Sequence, residues 1–330
     1  MGKEIIIMDD IKYTNKHNIS LLMAVWLSHD TYDMVPAEKK VSVTTLLKSV
    51  RQTILKSRQV GSTALAEDVS TLINARLGQA IHAGVEKAWQ QPQKALLALG
   101  YPQKTVDKIV INPTEWDEND VPIWIEIRSE QPLGNWIISG ESDAILMGAV
   151  RDIKSTGIFA YTSGSNNNKY RLQMSLYRWL NQDKVTNPMG YIDYYFKDWD
   201  KLESGYKSNY PPFPIYEQPI PLLSVNETER YARDKLDKLD KYWDAPEADL
   251  PLCDSEDLWQ SKPKWQYFGA LTNKRASKNF DTEPEAIIWR NAKGKGLVKY
   301  KAAKAKACDY CTAKPICSQY NTLAAQGLVT

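Results

Sequence analysis

No stretch of this 330-residue chain is apolar for long enough to cross a membrane. The longest apolar run near the start, from Ile19 to Leu27, falls well short of the ~20 residues that a spanning helix needs. It also lacks the basic-then-apolar layout of a secretory signal. No segment repeats along the chain. Cysteine is scarce, at four residues. In a chain of cytoplasmic character, four cysteines argue against a disulfide framework and for a metal site. A strong net charge is absent too, the total being +2. What remains, 43% hydrophobic and 25% charged residues, is the composition of a soluble globular protein of one large or two modest domains. The expected location is the cytoplasm, with no membrane partner.

The near-zero net charge conceals an asymmetry. Between Trp259 and Lys306 there are twelve basic residues and three acidic ones, a net +9, so the rest of the chain carries −7. Trp259, Trp265, Tyr267, Phe268 and Trp289 are interleaved with the lysines. Basic and aromatic side chains mixed in this way suit a nucleic-acid surface. A solvated lysine-rich face has the same composition.

Periodicity gives an α/β order. Helical spacing runs over Val41–Arg58 and Asp68–Trp89, followed by strand alternation at Val121–Arg128. A hairpin over residues 136–154 comes next, then a helix at Lys169–Leu180 and a strand at Gly190–Phe196. Pro211 to Pro214 closes this core, and Ser224–Trp243 reads as a solvent-exposed helix. These features divide the chain into an N-terminal segment (1–40), a core (41–215) and a helical, basic, cysteine-bearing region (216–330). Within the last, Trp265–Phe268 and Ala286–Trp289 form a small strand-and-helix unit.

The hairpin carries the chemistry. With Met147-Gly148 as a two-residue turn, paired residues have numbers that sum to 295, and Asp143 falls opposite Asp152. Directly opposed like charges destabilise a hairpin, so something positive belongs between them, and a divalent cation is the usual answer. Side chains alternate along a strand, which puts Lys154 on the face of Asp152. Two carboxylates and an ammonium at one point suit phosphodiester hydrolysis. Two further pairs lie on helices: His82 with Glu86, and Gln173 with Tyr177, each four residues apart and so on one face.

In order, these are a helical His82, Gly140-Glu-Ser-Asp143 on a strand, Asp152-Ile-Lys154 on the next strand, and Gln173-Met-Ser-Leu-Tyr177 on a following helix. The series resembles the RecB-like branch of the PD-(D/E)XK nucleases, including the CRISPR-associated members, and is most similar to phage-encoded ones. The likeness covers about residues 42–320, with Ser142 standing where the family name has proline. It implies a restriction-endonuclease-like α/β core, a central mixed sheet flanked by helices. It further implies that His82, Asp143, Asp152 and the backbone carbonyl of Ile153 hold Mg²⁺ or Mn²⁺. Asp143, Asp152, Lys154, Gln173 and Tyr177 form the catalytic set. Lys154 orients or deprotonates the attacking water, and Gln173 and Tyr177 hydrogen-bond Lys154 or a DNA phosphate.

The cysteines form a third group, Cys308, Cys311 and Cys317 in C-x₂-C-x₅-C spacing, with Cys253 far upstream. The pattern resembles the iron–sulfur staple of RecB-like and AddB nucleases and implies a [4Fe–4S] cluster. Structural zinc accepts the same four thiolates. In those relatives the distant cysteine usually lies near the helix that corresponds here to Ser42–Ile54. That stretch has no cysteine, so the expected staple ties the C-terminal extension to itself.

The resulting expectation is a metal-dependent deoxyribonuclease, an exonuclease on DNA ends or single strands. Its setting is phage or bacterial recombination, repair or replication, in the cytoplasm of a bacterial host. The competing expectations are a non-catalytic DNA-binding partner of a helicase or recombinase that retains the fold, and an RNA-processing enzyme.

Overall fold

In the computed structural model, which describes residues 13–29, 39–58, 67–260 and 262–329, two serines break the helix expected at Val41–Arg58. The Ser42 hydroxyl accepts the Thr45 N–H at 3.1 Å, and the Ser49 hydroxyl accepts the Gln52 N–H at 3.0 Å. Each is an N-cap that begins a new helix. The single expected helix is therefore a strand and two short helices. Asp68 acts similarly downstream, accepting the Ser70 N–H and opening a 3-10 turn that leads into the long helix.

Along the chain the elements are β1 (Tyr13–Thr14), α1 (Leu21–Ser28), β2 (Lys40–Ser42), α2 (Val43–Leu46), α3 (Val50–Ser57), β3 (Glu67–Asp68), α4 (Ile73–Trp89), α5 (Gln93–Ala98), α6 (Gln103–Val106), β4 (Ile109–Ile111), β5 (Val121–Leu133), β6 (Trp136–Leu146), β7 (Ala149–Thr156), α7 (Ile158–Ser163), α8 (Asn167–Leu180), β8 (Met189–Phe196), α9 (Lys201–Ser204), β9 (Ile215–Pro221), α10 (Val225–Tyr242), β10 (Lys264–Phe268), β11 (Lys278–Phe280), α11 (Glu283–Lys293), β12 (Leu297–Lys301) and α12 (Ser318–Ala325). No helix among the described residues is long and apolar enough to cross a membrane. The chain divides into two units, one of residues 1–47 and 63–236, the other of residues 48–62 and 237–330. The described residues 48–58 thus group with the C-terminal region.

The first unit is built on a seven-stranded mixed sheet in the order β4-β5-β6-β7-β8-β9, with β2 pairing β6 beside its first half. β4–β5, β2–β6 and β7–β8 are parallel, and the remaining pairs are antiparallel. β9 lies beyond the prolines expected to end the core and continues the sheet at its edge. Helices flank the sheet. α8 buries Met174, Leu176 and Tyr177, while Ile138, Ile145, Val150 and Ile192 are fully buried on the strands. The fold is thus a mixed α/β sheet with helical cover.

The second unit carries a three-stranded antiparallel sheet in the order β11-β10-β12. α11 packs on one of its faces and has strong local signals. Pro284 lies in the first turn with Glu283 and Glu285, basic Arg290 and Lys293 lie in the last, and Gly294 is left-handed at φ +62° just past the end. Each complements the helix dipole or its unpaired termini. A separate small core joins Leu258, Ala305 and Cys308 to Cys253, Tyr320, Leu323 and Val329.

Candidate metal centre

Two tight turns set the register of three neighbouring strands. Met147 and Gly148, between β6 and β7, both have positive φ (+49° and +71°), the conformation of the turn that suits a twisted hairpin. A side chain at Gly148 would also strike Thr186. The pairs Ala144↔Arg151, Ile145↔Val150 and Leu146↔Ala149 follow, and Asp143 and Asp152 are the next opposed positions, as the sequence register requires. On the other side, Gly134-Asn135 turns β5 into β6, and the pairs Ile125↔Ala144 and Ile127↔Ser142 leave Glu126 opposite Asp143. The ladder omits that pair because Glu126 is left-handed, at φ +49°. Glu126, Asp143 and Asp152 therefore occupy one row across three strands.

α4 lays His82 against this row. His82 Nδ1 stands 3.2 Å from Glu126 Oε1 and 3.6 Å from Asp143 Oδ1. Ligand atoms of His82, Glu126 and Asp143 all lie within 4.8 Å of one another, an arrangement able to hold a metal ion. The hydrogen bond to Glu126 outweighs the effect of burial and raises the His82 pKa, with Asp143 adding to the rise. Burial, followed by the charge of Asp152, pushes Asp143 up to about 7, against the pull of His82 and Lys154. The Ile153 N–H donates to Asp143 Oδ2 at 2.6 Å and fixes its direction.

Asp152 is 1% exposed. Neither of its carboxylate oxygens accepts a well-aligned hydrogen bond among the described residues, although the Lys154 ammonium stands 2.5 Å from Oδ2. Burial would depress the Lys154 pKa, but Asp152 and Asp143 more than offset it and hold the ammonium above its ordinary range. Tyr170 of α8 presents its ring 5.7 Å from the same ammonium. Lys169, next along the helix, is lowered first by burial and then by Lys154.

The structure thus gathers His82, Asp143, Asp152 and Lys154 as expected, with Ile153 contributing its N–H. It adds Glu126, Tyr170 and Lys169. The expected ligand set is redistributed, since the group within metal-binding range is His82, Glu126 and Asp143, while Asp152 is paired with Lys154. Gln173 donates to the Tyr177 hydroxyl at 3.0 Å. Tyr177 and Asp143 line one cavity of about 150 Å³. Gly140, of the Gly-x-x-Asp motif, is where α2 and α8 approach the sheet: a Cβ there would lie 2.8 Å from Val43 and 2.9 Å from Tyr177. A second cleft, of about 700 Å³, shares Glu126 with that cavity and is also lined by His82, Glu86, Ile153 and Lys154.

In the second unit, Cys253, Cys308, Cys311 and Cys317 line one small cavity with Arg51 and Gln52 of α3, and none is in a disulfide. The Ser49 hydroxyl is 3.1 Å from Cys253 Sγ, and Arg51 Nε donates to Cys317 Sγ at 3.3 Å. Arg51 is 1% exposed, pairs with Glu247, and donates to the Leu250 carbonyl and the Ser318 hydroxyl. The expectation that the cysteines tie the C-terminal extension only to itself is therefore corrected. The α3 segment supplies no cysteine, but its serine and arginine reach the sulfurs.

No family profile and no curated protein matches the chain. Among solved structures, one titled "Crystal structure of SSO0001" is loosely similar. It has 19% identity over 65% of this chain and 83% of that one, with a TM-score of 0.38.

Proposed function

We propose that the chain is a divalent-metal-dependent deoxyribonuclease of the PD-(D/E)XK kind, an exonuclease on DNA ends or single strands in phage or bacterial DNA recombination, repair or replication. The observation that carries this reading is Asp152: a buried carboxylate with no well-aligned hydrogen bond, beside the carboxylates of Asp143 and Glu126. One ammonium, Lys154, serves these carboxylates, and close buried acids repel; three clustered acids with an imidazole are a hard oxygen–nitrogen donor set for Mg²⁺ or Mn²⁺. His82, Glu126, Asp143 and Asp152 would hold the ion. When bound, it supplies a polarised water and neutralises charge building on the phosphate.

The protein groups then have distinct tasks. Asp143, directed by the Ile153 N–H, presents one oxygen to the row. Lys154 lies where an ammonium orients the attacking water and offsets phosphate charge. Asp152 and Asp143 raise its pKa, and an ion held by those carboxylates would offset that rise and favour proton release. The Tyr170 ring stands beside the Lys154 ammonium. The open cleft beside α4 gives a strand access to the row. The four cysteines line one cavity and would hold a structural [4Fe–4S] cluster or, alternatively, zinc, and Ser49 and Arg51 would supply hydrogen bonds to the sulfurs of such a group.

The test is cleavage of end-labelled single- and double-stranded DNA with Mg²⁺ or Mn²⁺, with iron and zinc measured in the same preparation. Asp152→Ala should lower the rate by more than about a hundredfold, the upper scale for losing even an outer partner of a metal site. Parental cleavage by that variant would overturn the assignment. DNA binding without cleavage under either metal would favour the non-catalytic reading.

A further inference from the structure

The sheet of the second unit has one face that its own helix leaves open. In antiparallel pairs opposed residues share a face, and neighbours along a strand alternate. The pairs Trp265↔Phe280, Trp265↔Tyr300, Tyr267↔Lys278 and Tyr267↔Val298 form the face that α11 covers. Phe280 lies 6.0 Å from Trp289 of that helix and Lys278 stacks 3.6 Å from the Trp289 ring, while Tyr267 and Ala286 are buried. The opposite face consists of Lys264↔Lys301, Gln266↔Lys299, Gln266↔Asn279 and Phe268↔Leu297. Its three lysines and Asn279 are exposed, and Gln266, Phe268 and Leu297 are half-buried.

This face opposes the fold's own stability. Lys264 and Lys301 are direct cross-strand partners, and like charges in that position repel. The chain has 40 acidic residues, yet none falls on this face, and its lysines make no ion pair among the described residues. The other side chains suit a strand of nucleotides. Lys299 lies 5.5 Å from the Phe268 ring, which joins a cation to an aromatic plane. Gln266 donates to Asn279 at 2.8 Å, so two amides are held side by side. The face is only three short strands wide. It presents no helix to a duplex groove among the described residues, whereas a cation-lined aromatic platform is what an unpaired strand uses.

We propose that the face formed by Lys264, Gln266, Phe268, Asn279, Lys299 and Lys301 is a docking site for single-stranded DNA. The lysines pair with successive phosphates, and Phe268 takes a base. The occupant rests on the proposed nuclease reading, but the site is separate from the metal centre and is tested without cleavage. The experiment is fluorescence anisotropy of a labelled single-stranded oligonucleotide in EDTA, titrated with full-length protein at several salt concentrations. It compares the parent with Lys264→Gln/Lys299→Gln/Lys301→Gln and with a control, Lys94→Gln/Lys104→Gln/Lys108→Gln.

Three phosphate contacts at about 0.7 counterions each predict a salt slope shallower by about 2 and affinity weaker on the order of a hundredfold at 0.1 M salt for the first variant. The control should match the parent. Unchanged affinity and slope in the first variant would overturn the site, as would equal loss in the control. Tighter parental binding to a duplex or to RNA of the same length would overturn the occupant. Circular dichroism on the same samples separates lost binding from lost fold, and single substitutions replace the triple if it unfolds. Parental binding by Asp152→Ala with this salt slope would support the site even if the cleavage assay failed, so the two readings can fail separately.

Discussion

At Glu126 the backbone leaves the β-ladder and takes a left-handed conformation, φ +49°, at a cost of roughly 1–2 kcal/mol for a residue with a side chain. What that conformation achieves is a carboxylate beside His82 and Asp143 instead of one more strand pair. If the carboxylate is a ligand, Glu126→Gln keeps the shape, can still hydrogen-bond His82, and loses charge. Its Mn²⁺ affinity in calorimetric titration should fall by about 10- to 100-fold. Unchanged affinity would remove Glu126 from the site. Asp143 sets a pH dependence at the same scale. Its pKa in the fold is about 7, against an ordinary 3.8, so between those values the folded protein holds a proton that the unfolded chain has lost. Stability from this group is therefore fully present below about 4 and disappears as pH rises through about 7. The raised His82 pKa acts in the same direction. Without metal, the melting temperature should drop between about pH 5 and pH 8, and Asp143→Asn should flatten most of that drop. A flat profile in the parent would contradict the buried, repelled state of Asp143.

Among elements, the junction of α2, β6 and α8 depends on one missing side chain. A methyl at Gly140 would come within 3.0 Å of Val43, Tyr177 and Leu180 at once. Overpacking of this kind costs about 1–3 kcal/mol, so Gly140→Ala should unfold earlier in urea by that amount. The motif glycine is thus a packing residue, which its place in a nuclease-like pattern does not reveal. Other elements were legible to different degrees. The spans of α8, α10 and β8 follow from periodicity, and the 143/152 register follows from the Met147-Gly148 turn alone. The break at Ser42 and Ser49 was hidden because Leu46, Leu47, Val50 and Ile54 keep helical spacing across two helices. Only the capping serines mark the interruption. β9 was missed because prolines precede it, yet an edge strand tolerates them. Glu126 had a readable signal. Gly134-Asn135 is a hairpin turn, and counting outward from it places Glu126 opposite Asp143. The left-handed backbone and the proximity of His82 arise from tertiary packing and have no counterpart in local sequence, whereas the pairing of Asp152 with Lys154 follows from strand alternation.

At the scale of the whole molecule, Arg51 is the residue on which the second unit's connectivity converges. Its buried guanidinium joins Glu247, Leu250, Cys317 and Ser318. Arg51→Met would leave the Glu247 charge without its partner in a partly buried site. Losing one member of such a pair costs about 3 kcal/mol or more, seen as earlier denaturant unfolding of the second unit. Arg51→Lys should recover little, since a lysine cannot match the forked geometry of these contacts. Arg51 and Cys317 are 266 residues apart in sequence, and that distance has a meaning in time. A ribosome releases α3 well before Cys317 and Ser318. The first unit holds all its parts once Leu236 has emerged, whereas Arg51 must wait, hydrated, for partners made 266 and 267 residues after it. The second unit is therefore completed after the first, and a nascent chain stalled before Cys317 would leave the Arg51 guanidinium without the sulfur and the hydroxyl that it meets in the fold.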